Sequence, residues 1–191
     1  MSRILFDIGH PAHVHFFKNF IWEMEKRGHE VLITAMKKES AFELLNYYGF
    51  DFIDMGANKK GLFNKAIGML SNDQKLLKIS RKFKPDALTG IGSPYIAQVS
   101  RLLGLKSVLF TDTEHASLIN KLSVPYSTYV LTPSCFLKDF GEKHLRYNGY
   151  HELSYLHPNW FKEEKGFLKE LDIKKNEKYF VLRSVSWQAS H

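Results

Sequence analysis

Three histidines fall close together near the N-terminus, in the run Gly9-His10-Pro11-Ala12-His13-Val14-His15. An imidazole gains and loses its proton near neutral pH, so a loop histidine can act as a general base or hydrogen-bond a substrate hydroxyl. His10 fits that role or a structural one in the turn, and His13 fits substrate contact or helix capping and packing. Zinc binding by all three is disfavoured, because helical geometry puts His13 beside Phe17 and His15 beside Lys18 and Trp22. A second cluster, Asp112-Thr113-Glu114-His115, offers two carboxylates and an imidazole, the groups needed for acid–base work on a sugar hydroxyl. Glu114, Asp112 and His115 are the candidate functional residues there, Asp112 and His115 as substrate contacts, and helix capping is the alternative for Asp112. In Gly92-Ser93-Pro94, Ser93 and its neighbouring amides suit a sugar or phosphate oxygen, or simply make a turn. Asp7 is an acid inside an apolar strand and must find a partner, either backbone or a cationic side chain. Cys135, the single cysteine, has no partner for a disulfide or a zinc knuckle and reads as a semi-buried thiol.

These residues are positioned by alternating strands and helices. Ile4 to Ile8 reads as a strand, followed by an amphipathic helix from His13 to Arg27 in which Val14, Phe17, Ile21 and Met24 recur at helical spacing. Further strands are expected at Val31–Ala35, Phe50–Met55, Ala87–Ile91, Ser107–Phe110 and Thr128–Thr132. Helices are expected at about 39–48, 62–83 and 95–103, with a short one after the fifth strand. Strands joined by helices of this length require crossover connections, so the fold class is α/β, a doubly wound parallel sheet, Rossmann-like. Its ligands belong at the rim beyond the carboxyl ends of the strands. The first loop sits there, but it is not the G-x-G-x-x-G fingerprint, so no dinucleotide cofactor is expected. The stretch Tyr147 to Trp160 reads as a connector, followed by a helix over Phe161–Leu171 and a strand over Tyr179–Val185 that either adds to the sheet or, the favoured reading, begins a further domain.

With 44% apolar and 25% charged residues among 191, the chain has the composition of a folded domain. No apolar run reaches membrane-spanning length and no secretory signal opens the chain, so a cytoplasmic location is expected. The net charge of +7 points to anionic company. Much of the excess lies between Lys59 and Lys84. That stretch reads first as a solvated helix face; as a subsidiary reading, Lys59–Leu70 mixes lysines with apolar residues, as a helix lying on an anionic membrane surface would. Nucleic acid is the third possibility, without a recognition motif to support it.

The first loop through Lys18, the run Thr111-Asp112-Thr113-Glu114-His115-Ala116 and the run Gly149–Pro158 resemble the domain-of-unknown-function family DUF354. Its members resemble two-domain GT-B proteins, similar to UDP-N-acetylglucosamine 2-epimerases and the peptidoglycan N-acetylglucosaminyltransferase. The resemblance implies that residues 1–146 form the N-terminal half of a GT-B fold, that 147–178 are connector and helix, and that 179–191 begin a second domain lying outside the chain. By position, His10 resembles the histidine of the transferase's first loop, and Glu114 with Asn120-Lys121 the Glu-containing segment after the fifth strand. Gly92-Ser93 stands where the epimerases carry a catalytic aspartate, which favours a metal-independent glycosyltransferase over an epimerase. The resemblance thus implies an acceptor-side domain for a nucleotide-activated, UDP-linked sugar, with His10 or Glu114 as base and no activity alone. The alternative is a non-catalytic module that supplies an acceptor site to a separate partner chain.

Overall fold

A computed structural model describes residues 1–57, 62–164, 166–174 and 176–182. The strands are β1 (Arg3–Ile8), β2 (Glu30–Ala35), β3 (Ile53–Asp54), β4 (Ala87–Ile91), β5 (Lys106–Phe110), β6 (Tyr129–Pro133) and β7 (His144–Tyr147). They form one sheet in the order β3-β2-β1-β4-β5-β6-β7, and all neighbours are parallel. The main connecting helices are α1 (Pro11–Lys26), α2 (Ala41–Tyr47), α3 (Leu62–Phe83), α4 (Pro94–Leu103) and α5 (Ser117–Ser123), and two short turns of helix come after β7, α6 (Leu153–Leu156) and α7 (Phe167–Glu170).

Side chains alternate across β1, so one strand serves two cores. Phe6 and Ile8 pack with Val14, Phe17 and Ile21 of α1 and Leu45 of α2. Leu5, on the other face, packs with Leu76 of α3, Ile96 and Val99 of α4, and Leu88 and Leu109 of the neighbouring strands. The apolar positions of α1 recur at helical spacing for this reason: they are the residues that meet the sheet. In the turn after β4, Gly92 adopts φ +51°, a conformation a side chain disfavours.

Several boundaries differ from the sequence reading. The third strand shrinks to Ile53–Asp54 at the sheet edge, because Phe50 turns into the α1/α2 core. A seventh strand appears where none was expected. His144–Tyr147 has little apolar alternation, yet it pairs with β6 in parallel register, and its position on the open edge of the sheet lets it carry polar residues. Among the described residues between Phe161 and Leu171 only Phe167–Glu170 is helical, and Gly166 in a left-handed conformation (φ 110°) marks its start. Tyr179–Leu182 are exposed and outside any strand; the remainder of that expected strand, and the run from Ser186 onward, lie outside the described residues. Lys59, Lys60 and Gly61 of the basic segment also lie outside them. Among the described residues no helix is long and apolar enough to cross a membrane. Cys135 is exposed rather than semi-buried, since it lies in the loop that leaves β6.

Leu88 is fully buried in β4, the strand against which β1 pairs. Leu88→Ala is expected to lower unfolding free energy by about 2–5 kcal/mol through lost burial and the residual cavity, measured by denaturant titration.

Candidate functional site

The sheet changes winding direction between β1 and β4, and loops leaving the two strands diverge there, opening a crevice at the carboxyl rim. A cavity of about 120 Å³ lies beside it, lined by Ala12, His13, Phe16, Ile91, Asp112, His151, Glu152 and Tyr155. Four segments build it. The first turn and a half of α1 supplies Ala12, His13 and Phe16, the ends of β4 and β5 supply Ile91 and Asp112, and the stretch after β7 supplies His151, Glu152 and Tyr155.

Asp112 and His151 form the polar centre. Asp112 Oδ2 lies 3.0 Å from His151 Nδ1, and Asp112 Oδ1 accepts a hydrogen bond from the Thr113 hydroxyl at 3.0 Å. The hydrogen bond from His151 holds the Asp112 carboxyl below its ordinary pKa; partial burial opposes this and Thr113 assists it. A carboxylate can only accept, so Nδ1 of His151 carries the shared proton, and in the neutral ring Nε2 holds a lone pair. His151 is 8% exposed, and its Nε2 is buried with no hydrogen-bond partner among the described residues. Leaving such a group unpaired costs about 1–3 kcal/mol. The ring is held by Phe16 at 4.6 Å between centroids and by Tyr147, stacked at 6.3 Å. The Tyr147 hydroxyl is likewise buried without a partner, and burial raises its pKa, with the charges of Asp112 and Glu152 adding to the shift.

His13 has the opposite proton arrangement. The Gly9 amide donates to its Nδ1 at 3.2 Å, so the proton of the neutral ring is on Nε2. Burial pushes its pKa down to about 3, with positive charge at His10, Lys38 and His151 contributing and Asp112 opposing. His13 therefore stays neutral and offers a hydrogen-bond donor. His10 is the N-cap of α1, its Nδ1 accepting from the Ala12 amide at 3.2 Å, and its Nε2 lies 3.5 Å from Glu39. Burial and Lys38 lower the His10 pKa, and Glu39 works against them. The His10 and His13 rings are 6.0 Å apart. His15 turns away, with Nδ1 3.3 Å from the Tyr48 hydroxyl and its ring against Tyr155.

The other residues singled out in the sequence are elsewhere. Glu114 accepts from the Leu137 amide at 2.7 Å and its carbonyl accepts from Lys138 at 2.5 Å, so it ties down the loop after β6. Asn120 is buried and donates to the Thr113 carbonyl, bracing the Asp112 loop from α5. His115 is exposed, outside the cavity lining. Ser93 faces the opposite side of the sheet. Its hydroxyl donates to Asp7 Oδ2 at 2.6 Å and accepts from the Ile96 amide, capping α4. Asp7 is thus satisfied by two hydroxyls, Ser93 and Thr34 (2.9 Å), rather than by backbone or a cation, and burial raises its pKa despite both. Gly90 makes room for this arrangement, since a Cβ there would sit 3.1 Å from the Asp7 carbonyl oxygen. No group of three side chains suited to hold a metal ion occurs among the described residues.

His151 and Tyr155 were not among the expected site residues. They lie in the stretch read as a connector, which folds back so that α6 packs on α1, with Asn19 Nδ2 donating to the Ser154 carbonyl at 2.8 Å. The sequence signal was present in His151-Glu152, a polar pair within an aromatic run, but its distance from Asp112 in the chain concealed the pairing.

Residues 2–191 match the family model described as "Protein of unknown function (DUF354)". The chain belongs to the DUF354 family. The uncharacterized protein MJ0665 of Methanocaldococcus jannaschii is 25% identical to this DUF354 chain over 185 residues, covering 93% of the chain and 54% of the relative. The chain thus spans about half the length of that protein. Among solved structures, MurG of Acinetobacter baumannii superposes with a TM-score of 0.64 at 13% identity, covering 76% of the chain and 45% of MurG. The UDP-GlcNAc 2-epimerase of Methanocaldococcus jannaschii gives 0.55 at 14% identity, with coverages of 69% and 39%. The Streptomyces sp. SF2575 glycosyltransferase SsfS6 gives 0.56 at 16% identity, with coverages of 90% and 64%. At these identities the likeness is one of fold: this DUF354 chain is a Rossmann-like parallel α/β domain of the kind that forms the N-terminal half of a GT-B fold.

The depressed pKa of His13 makes stability depend on pH. The unfolded chain binds a proton at His13 below about 6.5, whereas the folded chain resists doing so until about 3. His13 should therefore cost stability progressively as pH falls from about 6.5 toward 3, and His13→Gln should flatten that slope in denaturant titrations across the interval.

Proposed function

We propose that this chain is the acceptor-side, N-terminal half of a GT-B-type enzyme acting on nucleotide-activated sugars, glycosyltransferase-like and using a UDP-linked donor. The observation that carries the reading is the cavity at the carboxyl rim, where the Asp112–His151 pair and the neutral donor His13 converge from separate segments. Its place beside the winding switch is where doubly wound sheets bind ligands. The fold likeness to MurG, to a UDP-GlcNAc 2-epimerase and to a glycosyltransferase supports sugar chemistry of this class. The basic composition supports a phosphorylated substrate.

In this reading the cavity receives one hydroxyl-bearing end of the acceptor. Phe16, Ile91 and Tyr155 provide apolar walls, and His13 and Asp112 fix the orientation of the polar group. His10 stands at the rim as the cap of α1, beside Glu39, and is placed to meet a substrate that bridges the crevice. Glu114 holds the loop that presents Asp112. A second domain binds most of the nucleotide, and the departing diphosphate is stabilised by its helix N-terminus and basic groups. The chain alone is inactive. Attachment at the inner face of the membrane, suggested by the Lys59–Leu70 segment, fits a lipid-linked acceptor.

The product of the intact gene is expected to be roughly twice the length of this chain. Given UDP-N-acetylglucosamine or UDP-glucose and a lipid extract of its own cells, it should release UDP, whereas residues 1–191 alone should not. Failure of the intact product to bind or turn over either sugar nucleotide would remove the reading.

A further inference from the structure

The hydrogen bonds around the cavity sort its imidazoles by what each can still do. His10 and His13 both spend Nδ1 accepting a backbone N–H, from Ala12 and Gly9 respectively. In the neutral ring each therefore carries its proton on Nε2, and neither has a free lone pair with which to take another. His151 is the reverse. Asp112 occupies Nδ1 from the acceptor side, at 3.0 Å, and Nε2 is buried with no partner among the described residues. Among the imidazoles lining this cavity or capping its helix, His151 is the one with a bare nitrogen and with a carboxylate behind it to stabilise the charge it would gain.

We infer that His151 is the general base of the site: its Nε2 takes the proton of an acceptor hydroxyl that enters the cavity, with Asp112 as the residue that positions the ring and stabilises the imidazolium. The inference rests on the glycosyl-transfer reading above and places the base in the stretch after β7 rather than in the first loop. As the proton passes to Nε2, the acceptor oxygen bonds to the anomeric carbon of the sugar nucleotide. The bond from that carbon to the diphosphate oxygen breaks, and its electron pair leaves with the nucleoside diphosphate. His13, with a donor proton on Nε2, holds the acceptor oxygen in line. The entering hydroxyl also supplies the hydrogen bond that Nε2 lacks among the described residues. Glu152 and Tyr155, close to His151 in sequence, line the same cavity.

Measurements of two kinds on the full-length protein test this. Long-range ¹H–¹⁵N correlation spectra of ¹⁵N-histidine-labelled protein should show His151 protonated on Nδ1 and bare on Nε2, and His13 the opposite; an Nε2–H tautomer at His151 overturns the assignment. In UDP release from UDP-N-acetylglucosamine or UDP-glucose, His151→Gln should lower the rate about 10²–10⁴-fold and remove the acid limb of the pH–rate profile. Asp112→Asn, which preserves shape, should move the His151 proton to Nε2 and also lower the rate. Added imidazole should restore activity to His151→Gly, a rescue that a purely structural role would not give. If His151→Gln keeps its rate and its acid limb, His151 is not the base and the glycosyl-transfer reading stands. If the unaltered protein releases UDP from neither donor, that reading fails and this inference falls with it.

Discussion

The pairing of β1 with β4 is the constraint on which the site depends. β1 already has β2 on one side, reached through α1, and the chain then returns across the sheet through α3 to place β4 on the other side. Right-handed crossovers oblige the helices made before and after that return to lie on opposite faces, as the two cores show, α1 and α2 on one, α3 and α4 on the other. The loops leaving β1 and β4 therefore part company, and the space between them cannot be filled by either helix. Strand β5 pairs with β4 in parallel register and delivers Asp112 to the same rim.

The two faces of β1 solve different problems with the same strand. On the α3/α4 face Asp7 is closed off by Ser93 and Thr34, with Gly90 leaving room, and those hydroxyls are consumed in satisfying it. Asp7 therefore has a structural place at the carboxyl end of the sheet, locking β1, β2 and the start of α4 together. On the α1 face the polar groups are incompletely satisfied. The Nε2 of His151 and the hydroxyl of Tyr147, in a stacked ring pair beside Asp112, are buried with no partner among the described residues.

The histidines of the first loop show how local geometry assigns chemistry. His10 accepts a free N–H of the helix start, from Ala12, and His13 accepts the Gly9 amide in the loop just before the cap. An imidazole used in this way keeps its proton on the far nitrogen and becomes a donor. His151 escapes because it lies in an irregular turn, where the partner for its Nδ1 is a carboxylate instead of an amide.

Periodicity and crossover length are local properties of a chain, so the α/β alternation, the parallel sheet and the position of its carboxyl rim were legible in the order of residues alone. The same signals placed His13 and Asp112 at that rim, since each closely follows a strand that periodicity reveals. Which polar groups meet was settled by long-range packing. Ser93 and Asp7 lie 86 residues apart and saturate each other, Glu114 is taken up by the loop after β6, and Asp112 finds its partner in His151. The edge strand β7 was hidden because an edge position does not demand apolar alternation. The return of the chain after it, which brings His151 to the site, is fixed by packing of α6 on α1, and such distant contacts leave no periodic trace in the sequence.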